Sequence, residues 1–164
     1  MPIRPATHAD LAGILAIYND VIAASTAVYA DVPVTLASRV EWYEGRLKAD
    51  YPVLVAAEGV EILGFSSFGD FRAFPGYRFT VEHSVHVAAA ARGKGLGGEL
   101  IKALLPIAKA LGKHVILGGI DADNAGSIRF HEQLGFARVA HMPQVGFKFG
   151  RWLDLVFMQK ILDI

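Results

Sequence analysis

The sequence has no cysteine and no excess of positive or negative charge. Because its 164 residues include no Cys, disulfides, thiolate metal sites and a cysteine nucleophile are all excluded. Its 16 Lys and Arg residues balance 16 Asp and Glu residues, which argues against a nucleic-acid surface or an anionic membrane as partner. We therefore expect a small-molecule substrate, and any anion-binding site must be local.

Long hydrophobic runs are missing as well. Residues 1–5 lack the apolar run of a signal peptide, and no apolar stretch reaches membrane-spanning length. A cytoplasmic protein without a membrane partner is the simplest interpretation. The hydrophobic share of 53% then belongs to a buried core, and the length suits a single domain over residues 1–164.

Hydrophobic periodicity predicts strands and helices in a mixed order. A short strand around Ile3 precedes a helix that begins at a capping box, Thr7 to Asp10, and runs to about Ala24. The remaining predictions are a helix capped by Thr35, a hairpin over residues 53–68, a strand over 79–87, a helix over 96–111, a buried strand over 115–117, a short helix ending at Leu134, and strands over 136–140 and 152–160 separated by a loop over 142–150. Since the hairpin and the strand after it are joined without helices, the first half of the sheet should be antiparallel.

The second helix is predicted to bury one apolar face. That face consists of Leu36, Val40, Tyr43 and Leu47, which recur at helical spacing. The charged residues of the segment, Arg39 among them, fall outside this stripe. We therefore expect them away from the buried face.

Residues 79–98 combine a two-faced strand with a glycine-rich loop. One strand face is apolar, and the other carries Thr80, Glu82, Ser84 and His86. Arg92 then opens a loop with glycine at positions 93, 95, 97 and 98. Such glycines let several backbone N–H groups point into one concavity at the positive end of a helix. This pattern indicates a site for phosphate or pyrophosphate.

Three other interpretations of this stretch are weaker. The glycines also match the dinucleotide fingerprint, and Asp121 stands roughly 20 residues later, where a ribose-binding acid belongs. However, residues 88–92 separate the strand from the glycines, and the further strand-helix units of that fold are missing. A triphosphate loop lacks its Gly-Lys-Ser/Thr ending. His83 and His86 point to opposite strand faces, so we predict no metal site.

The loop resembles the acyl-CoA motif of the GNAT N-acetyltransferases. That motif reads Arg/Gln-x-x-Gly-x-Gly/Ala, and residues 92–97 read Arg-Gly-Lys-Gly-Leu-Gly. The resemblance covers nearly the whole element order, including residues 124–127 and 134–136. Residues 80–82, 131–136 and 146–152 are similar to the subgroup that acetylates phosphinothricin and methionine sulfoximine.

This resemblance implies both a fold and a co-substrate. The fold is the mixed α/β (α+β) GNAT fold, in which a central, largely antiparallel mixed sheet of about seven strands is flanked by about four helices. The co-substrate is acetyl-CoA. By resemblance, its binding residues are Val85, His86 and Val87 on the strand, Arg92, Gly93, Lys94, Gly95, Leu96, Gly97 and Gly98 in the loop, and Asn124 and Ser127 on the following helix. Helix capping is an alternative role for Asn124 and Ser127, and for Asn124 both roles are compatible.

Two residues are candidates for proton transfer. Glu82 stands on the polar strand face shortly before the cofactor-binding residues, so we expect it to act as general base through water. An ion pair with a nearby Arg is the alternative. His131 occupies the place where many GNAT enzymes have a tyrosine acid, and an imidazole with a pKa of about 6.5 can relay a proton in either direction. A structural role is the alternative for His131.

The substrate-binding candidates lie in two loops. Arg72 and Arg78 flank an aromatic loop before the catalytic strand, where a guanidinium can bind an amino-acid carboxylate and the rings of Phe74 and Tyr77 can shape the pocket. Surface solvation is the alternative for each Arg. Tyr29 is a candidate for the opposite wall. The subgroup is typically dimeric, so by resemblance we expect a homodimer in which residues 147–149 reach a neighbouring subunit's site.

The expected function is transfer of acetyl from acetyl-CoA to the α-amino group of a small amino-acid analogue. Methionine sulfoximine, methionine sulfone and phosphinothricin are the leading candidates by resemblance, with detoxification as the implied role. One alternative is acetylation of protein N-termini or other amines. The other is a CoA-binding module without catalysis, which the presence of Glu82 and His131 disfavours.

Overall fold

A computed structural model describes residues 2–163 as a twisted sheet covered by helices on both faces. The strands are β1 (Ile3–Pro5), β2 (Val53–Glu58), β3 (Glu61–Asp70), β4 (Thr80–Val87), β5 (Val115–Asp121), β6 (Ala137–Lys148) and β7 (Arg151–Ile161). The α-helices are α1 (Leu11–Ala24), α2 (Leu36–Lys48), α3 (Leu96–Ala110) and α4 (Ala125–Gln133). Among the described residues, none of the helices is long and apolar enough to cross a membrane.

The sheet order is β1-β2-β3-β4-β5-β7-β6, and only β4 and β5 pair in parallel. The antiparallel first half follows from the short hairpin between β2 and β3 and the helix-free connection to β4. The helix α3 crosses from β4 to β5 and makes their parallel pairing possible. The predicted mixed, largely antiparallel sheet is therefore confirmed.

Two hydrophobic clusters lie on opposite faces of the sheet. One includes Leu100 and Leu104 of α3 together with Val81 of β4. The other includes Ile14 and Val21 of α1 packed against the sheet. Successive β4 side chains point to opposite faces, so Val81 packs in the first cluster, whereas His86 lies against Phe65 of the second.

The predicted buried face of α2 is partly wrong. Tyr43 is buried as expected, but Leu36 and Leu47 are 47% and 48% exposed, whereas Arg39 is only 8% exposed. The cause is aromatic stacking: the Arg39 guanidinium lies 4.1 Å from the ring centre of Tyr18 in α1. A planar cation can therefore occupy a position on the sheet side that periodicity assigns to apolar residues.

The end of the chain also departs from prediction. Residues 142–148, expected in a loop, belong to β6, which pairs with β7 through Lys148 and Arg151. The ladder is irregular between Met142 and Gly146, where the register shifts. A bulged strand of this kind breaks the alternation that identifies strands in a sequence.

Candidate active site

The strands β4 and β5 separate in the middle of the sheet. Their parallel register runs from Thr80 and Val115 to Glu82 and Leu117 and ends there, although the strands themselves continue to Val87 and Asp121. Beyond Glu82, β4 is paired only with β3 on its other side. The backbone groups of residues 84–87 that face the split are thus available to a bound molecule, because extended amides need partners.

A cavity of about 410 Å³ opens at this split. It is bounded by β4, β5, α1, α2 and the first part of α4. Of the site residues predicted from the sequence, the following line this cavity: Glu82, Val85, His86, Asn124, Ser127 and His131. The structure therefore brings both proton-transfer candidates and part of the predicted cofactor site to one place.

Glu82 is a half-buried carboxylate without a protein cation. Among residues 2–163, its side chain enters no ion pair, so the alternative of an ion pair with Arg is not what the structure describes. Burial raises the pKa of Glu82 above its usual value, because desolvation disfavours the charged form. A carboxylate with a raised pKa is a stronger base than one in water.

His83 and His86 lie on opposite faces of β4, as predicted from their spacing. The His86 ring packs 5.7 Å from Tyr18 and 5.4 Å from Phe65, whereas His83 faces His131 of α4. Burial, with further contributions from the charges of Arg39 and Arg92, lowers the pKa of His86 to about 4. His86 is therefore a neutral wall of the cavity. Within residues 2–163, no cluster of three or more His, Asp or Glu is arranged to bind a metal.

His131 is fixed by two hydrogen bonds. Its Nδ1 lies 2.7 Å from the carbonyl oxygen of Ser127, and its Nε2 lies 3.2 Å from Nε2 of His83. Since a carbonyl oxygen only accepts, Nδ1 of His131 carries the proton. Nε2 of the neutral ring then accepts from His83, whose own Nδ1 is buried without a partner.

This bonding limits what His131 can do in the resting state. The N–H of the neutral ring is engaged by Ser127 and its Nε2 lone pair by His83, so neither ring nitrogen is free for proton transfer. Burial lowers the pKa values of His131 and of His83, the latter to about 3, which disfavours an imidazolium near neutral pH. The predicted proton relay through His131 would therefore require these hydrogen bonds to change.

The glycine-rich loop forms a second cavity, of about 500 Å³, at the start of α3. It is lined by predicted site residues Val87, Arg92, Gly93, Gly95, Leu96, Gly97 and Gly98. Gly93 and Gly95 have φ values of +80° and +77°, a conformation that side chains oppose. Lys94 lies in the same loop but is not part of the lining. First-turn N–H groups of α3 and the Arg92 guanidinium provide the positive environment that a pyrophosphate requires.

Asn124 caps α4. Its Oδ1 accepts a hydrogen bond of 3.1 Å from the Ser127 backbone N–H, which confirms the capping alternative for Asn124. Both residues also line the cavity at the split. Capping and contact with a bound molecule are therefore compatible for this residue, as expected.

Tyr29 is placed by the segment that follows α1. Its hydroxyl donates a 2.9 Å hydrogen bond to the carbonyl oxygen of Asp154, and its ring lies so close to Gly146 that an added Cβ would be 2.5 Å from it. Its neighbours Ala27 and Val28 line the cavity, whereas Tyr29 supports them from behind. The predicted wall is thus formed by this segment rather than by the Tyr29 side chain.

The expectation that residues 147–149 project toward another subunit is wrong for Lys148. This residue is 1% exposed. Its Nζ donates hydrogen bonds of 2.7, 2.6 and 2.8 Å to the carbonyl oxygens of Ile22, Ser25 and Val28. These carbonyls lie at and beyond the end of α1, where backbone oxygens lack helical partners and a cation is favoured. Phe147 and Phe149 are more than half exposed.

The aromatic loop before β4 lies outside both cavities. Arg72 stacks on Phe71 and Arg78 on Phe79, and Phe74 and Tyr77 are 74% and 42% exposed. The Arg78 guanidinium also donates a 2.9 Å hydrogen bond to the Pro75 carbonyl. None of these four predicted substrate residues lines either of the two cavities described above.

Arg39, which no sequence pattern indicated as a site residue, lines the cavity together with Arg46 and Trp42. Helical periodicity gave no indication, because Arg counts as polar in every such pattern. The only available signal was the aromatic content of α1 and α2, in Tyr18 and Trp42, which provides faces for a buried guanidinium.

Comparison with known proteins identifies the family. The model of the acetyltransferase (GNAT) family matches residues 14–136. The chain belongs to the GNAT acetyltransferase family. It is therefore an acetyl-CoA-dependent N-acetyltransferase, as the resemblance of its glycine loop implied.

Individual relatives match almost the whole chain. An L-methionine sulfoximine/L-methionine sulfone acetyltransferase of Pseudomonas paraeruginosa is 53% identical over 98% of this chain and 94% of the relative. A phosphinothricin N-acetyltransferase of Alcaligenes faecalis is 35% identical over 98% and 82%. A solved Salmonella typhimurium acetyltransferase that contains its cofactor acetyl-CoA is 51% identical over 99% and 94%, with a TM-score of 0.96. The predicted resemblance to this subgroup of GNAT proteins is confirmed.

Proposed function

We propose that this enzyme transfers acetyl from acetyl-CoA to the α-amino group of a small amino-acid analogue of the methionine sulfoximine, methionine sulfone or phosphinothricin type. The observation that carries the proposal is Glu82, a desolvated carboxylate without a cationic partner at the point where β4 and β5 separate. The names of the relatives support this substrate class. Residues 1–164 act as one domain in this proposal.

The described residues fit acetyl-CoA in two respects. Residues 84–87 offer unpaired backbone groups along the split, which suits the amides of a pantetheine arm. The loop over 92–98 offers an open, glycine-lined concavity at a helix N-terminus, which suits a pyrophosphate. When bound, acetyl-CoA supplies an acetyl group already activated as a thioester.

Glu82 prepares the amine in this proposal. An α-ammonium group is not a nucleophile, so a proton must leave before transfer, and Glu82 accepts it through a water molecule. Both ring nitrogens of His131 are engaged in its resting hydrogen-bond pattern, so it has no free N–H for the leaving group. Protonation of the departing thiolate by solvent is consistent with that pattern.

The role of Glu82 predicts a defined pH dependence. Because burial raises its pKa, the basic carboxylate is present above that raised pKa and is lost as the pH falls through it. We expect kcat/KM of the wild type to fall on the acidic side with a midpoint above the ordinary pKa of a glutamate. In Glu82→Gln, turnover should fall by about 100-fold or more while the KM for acetyl-CoA stays nearly unchanged. Unchanged turnover near neutral pH would remove Glu82 as the base.

Other predicted features belong to the same proposal. Arg72, Phe74, Tyr77 and Arg78 stay candidates for substrate contact, and Arg72→Ala and Arg78→Ala test them through the KM for carboxylate-bearing substrates. A cytoplasmic homodimer with a detoxifying role is also proposed. The exposed rings of Phe147 and Trp152, which pack 4.9 Å apart at the β6–β7 turn, support an apolar contact surface.

The experiment that tests the function is thiol release from acetyl-CoA with a panel of acceptors. The panel contains methionine sulfoximine, methionine sulfone, phosphinothricin, simple amines and short peptides. We expect release with the amino-acid analogues above all. Release with peptides alone would favour acetylation of protein N-termini, and acetyl-CoA binding without any release would favour a CoA-binding module.

A further inference from the structure

Arg39 is a buried cation at a cavity that also contains a catalytic candidate. It stands on α2 with 8% of its surface exposed and borders the same 410 Å³ cavity as Glu82. Its guanidinium lies 4.1 Å from the ring centre of Tyr18 and 4.6 Å from that of Trp42. Ring stacking engages the flat faces of a guanidinium, whose N–H bonds lie in its plane and can reach an acceptor beside the rings.

The protein supplies no counter-ion for this cation. The five ion pairs found within residues 2–163 do not include Arg39, and its Nε is buried without a hydrogen-bond partner. Burial lowers the pKa of Arg39 from its ordinary value. Taking a charge out of water without a partner is costly, so the free enzyme lacks an interaction that a bound anion can provide.

The other titratable groups around the cavity leave a cationic side at α2 and an anionic side at Glu82. Arg46 is on the same helix and also faces the cavity, with its Nε 3.2 Å from the Ser67 hydroxyl. His86 is neutral because its pKa is lowered to about 4. The cavity carboxylates are Glu82 and Asp121, and Asp121 accepts a hydrogen bond from Thr26. The α2 wall is thus cationic, and among the described residues that line the cavity Glu82 on β4 is the only carboxylate without a partner.

We infer that Arg39 binds the carboxylate of the amino-acid substrate, in place of the loop residues Arg72 and Arg78, and so selects substrates with a free carboxylate. An α-amino acid then spans the cavity with its amine toward Glu82 and its carboxylate toward Arg39. Carboxamides, esters and simple amines lack the group that satisfies the guanidinium. This inference rests on the proposed function and narrows its substrate class.

The test compares a substrate with its own carboxamide. In Arg39→Met, which keeps the aliphatic stem, we expect the KM for methionine sulfone to rise about 10- to 100-fold, the loss expected for a charge-assisted hydrogen bond. The kcat/KM for methionine sulfone amide and the KM for acetyl-CoA should change less than about twofold. Lys48→Met is the matched control, because Lys48 is an exposed cation of the same helix, and it should behave as the wild type.

Several results would overturn the inference. Equal losses on the acid and the amide in Arg39→Met would mean that Arg39 only supports the packing of α1 on α2. If Arg72→Met or Arg78→Met lost the preference for the acid over the amide while Arg39→Met kept it, carboxylate binding would belong to the aromatic loop instead. If Arg39→Met does not fold, Arg39→Lys must weaken acid over amide selectivity by at least about threefold; unchanged selectivity refutes the inference. A wild type that releases no thiol with any amino acid would instead refute the proposed function, before any variant is made.

Discussion

Replacing Lys148 by Met should destabilise the protein far more than the same replacement of a surface lysine. The Lys148 Nζ donates three hydrogen bonds of 2.6–2.8 Å to backbone carbonyls at the end of α1. Met fills a similar volume but leaves those carbonyls without a donor inside the protein. A charge-assisted hydrogen bond contributes about 1.5–3 kcal/mol, part of which is offset by the cost of desolvating the ammonium. We expect a net loss of about 3 kcal/mol in the free energy of unfolding.

Urea and thermal unfolding followed by circular dichroism measure this loss. For a chain of this size a loss of 1 kcal/mol lowers Tm by roughly 2–4 °C, so Lys148→Met should lower it by roughly 6–12 °C. Lys102→Met is the control, because Lys102 forms a solvent-exposed pair with Glu99 at 3.0 Å, which contributes about 0.5 kcal/mol at most. Equal Tm values for the two variants would refute the assigned role of the buried ammonium. Since Lys148 holds the segment that lines the cavity, kcat/KM should also fall in Lys148→Met.

Three further predictions concern stability and cofactor binding. The pKa of Asp10 is lowered from 3.8 to about 2, mainly by its hydrogen bond to Arg4, so its contribution is complete above about pH 4 and is lost as the pH falls through about 2. Asp10→Asn should therefore cost about 1 kcal/mol in urea unfolding at pH 7, since the exposed Arg4 is screened by solvent, and this cost should shrink as the pH approaches 2. A Cβ at Gly118 would lie 2.6 Å from Nε2 of His83, so Gly118→Ala should lose about 1–3 kcal/mol in the same assay, whereas Gly45→Ala, in open space on a helix, should gain about 0.5–1 kcal/mol. Gly95→Ala places a side chain at a φ of +77° and should raise the KM for acetyl-CoA several-fold through loop strain of about 1–2 kcal/mol; an unchanged KM would show that the loop conformation is not needed for binding.

The parts of the fold that local patterns determine were predictable. The two faces of β4, the hairpin before it and the glycine-rich start of α3 depend on neighbours along the chain and on strand or helix periodicity. The placement of Glu82 on one face and His83 on the other follows from the same alternation. The order of elements along the chain also followed from periodicity, whereas the resemblance to the family supplied the fold, which periodicity alone does not fix.

The errors lie where distant residues decide the outcome. Arg39 is buried because rings from α1 and α2 stack on it, and Lys148 is buried because carbonyls from the far end of α1 surround it. Side-chain polarity assigns both residues to the surface. Only the tertiary structure provides the aromatic faces and the unpaired carbonyls that make burial of these cations possible.

A substrate that contacts both groups accounts for the two unpaired charges of the cavity, the Glu82 carboxylate and the Arg39 guanidinium. If the Glu82 carboxylate were bonded to the Arg39 guanidinium, each would be satisfied, the pKa of Glu82 would fall, and its strength as a base would be lost. The structure describes the opposite: Glu82 has a raised pKa, and Arg39 has no carboxylate partner within residues 2–163. An amino acid that lies between them brings an amine to one and a carboxylate to the other. Its binding therefore satisfies the cation without neutralising the base, and the cost of leaving both groups unpaired in the free enzyme is recovered only when a substrate with both groups is bound.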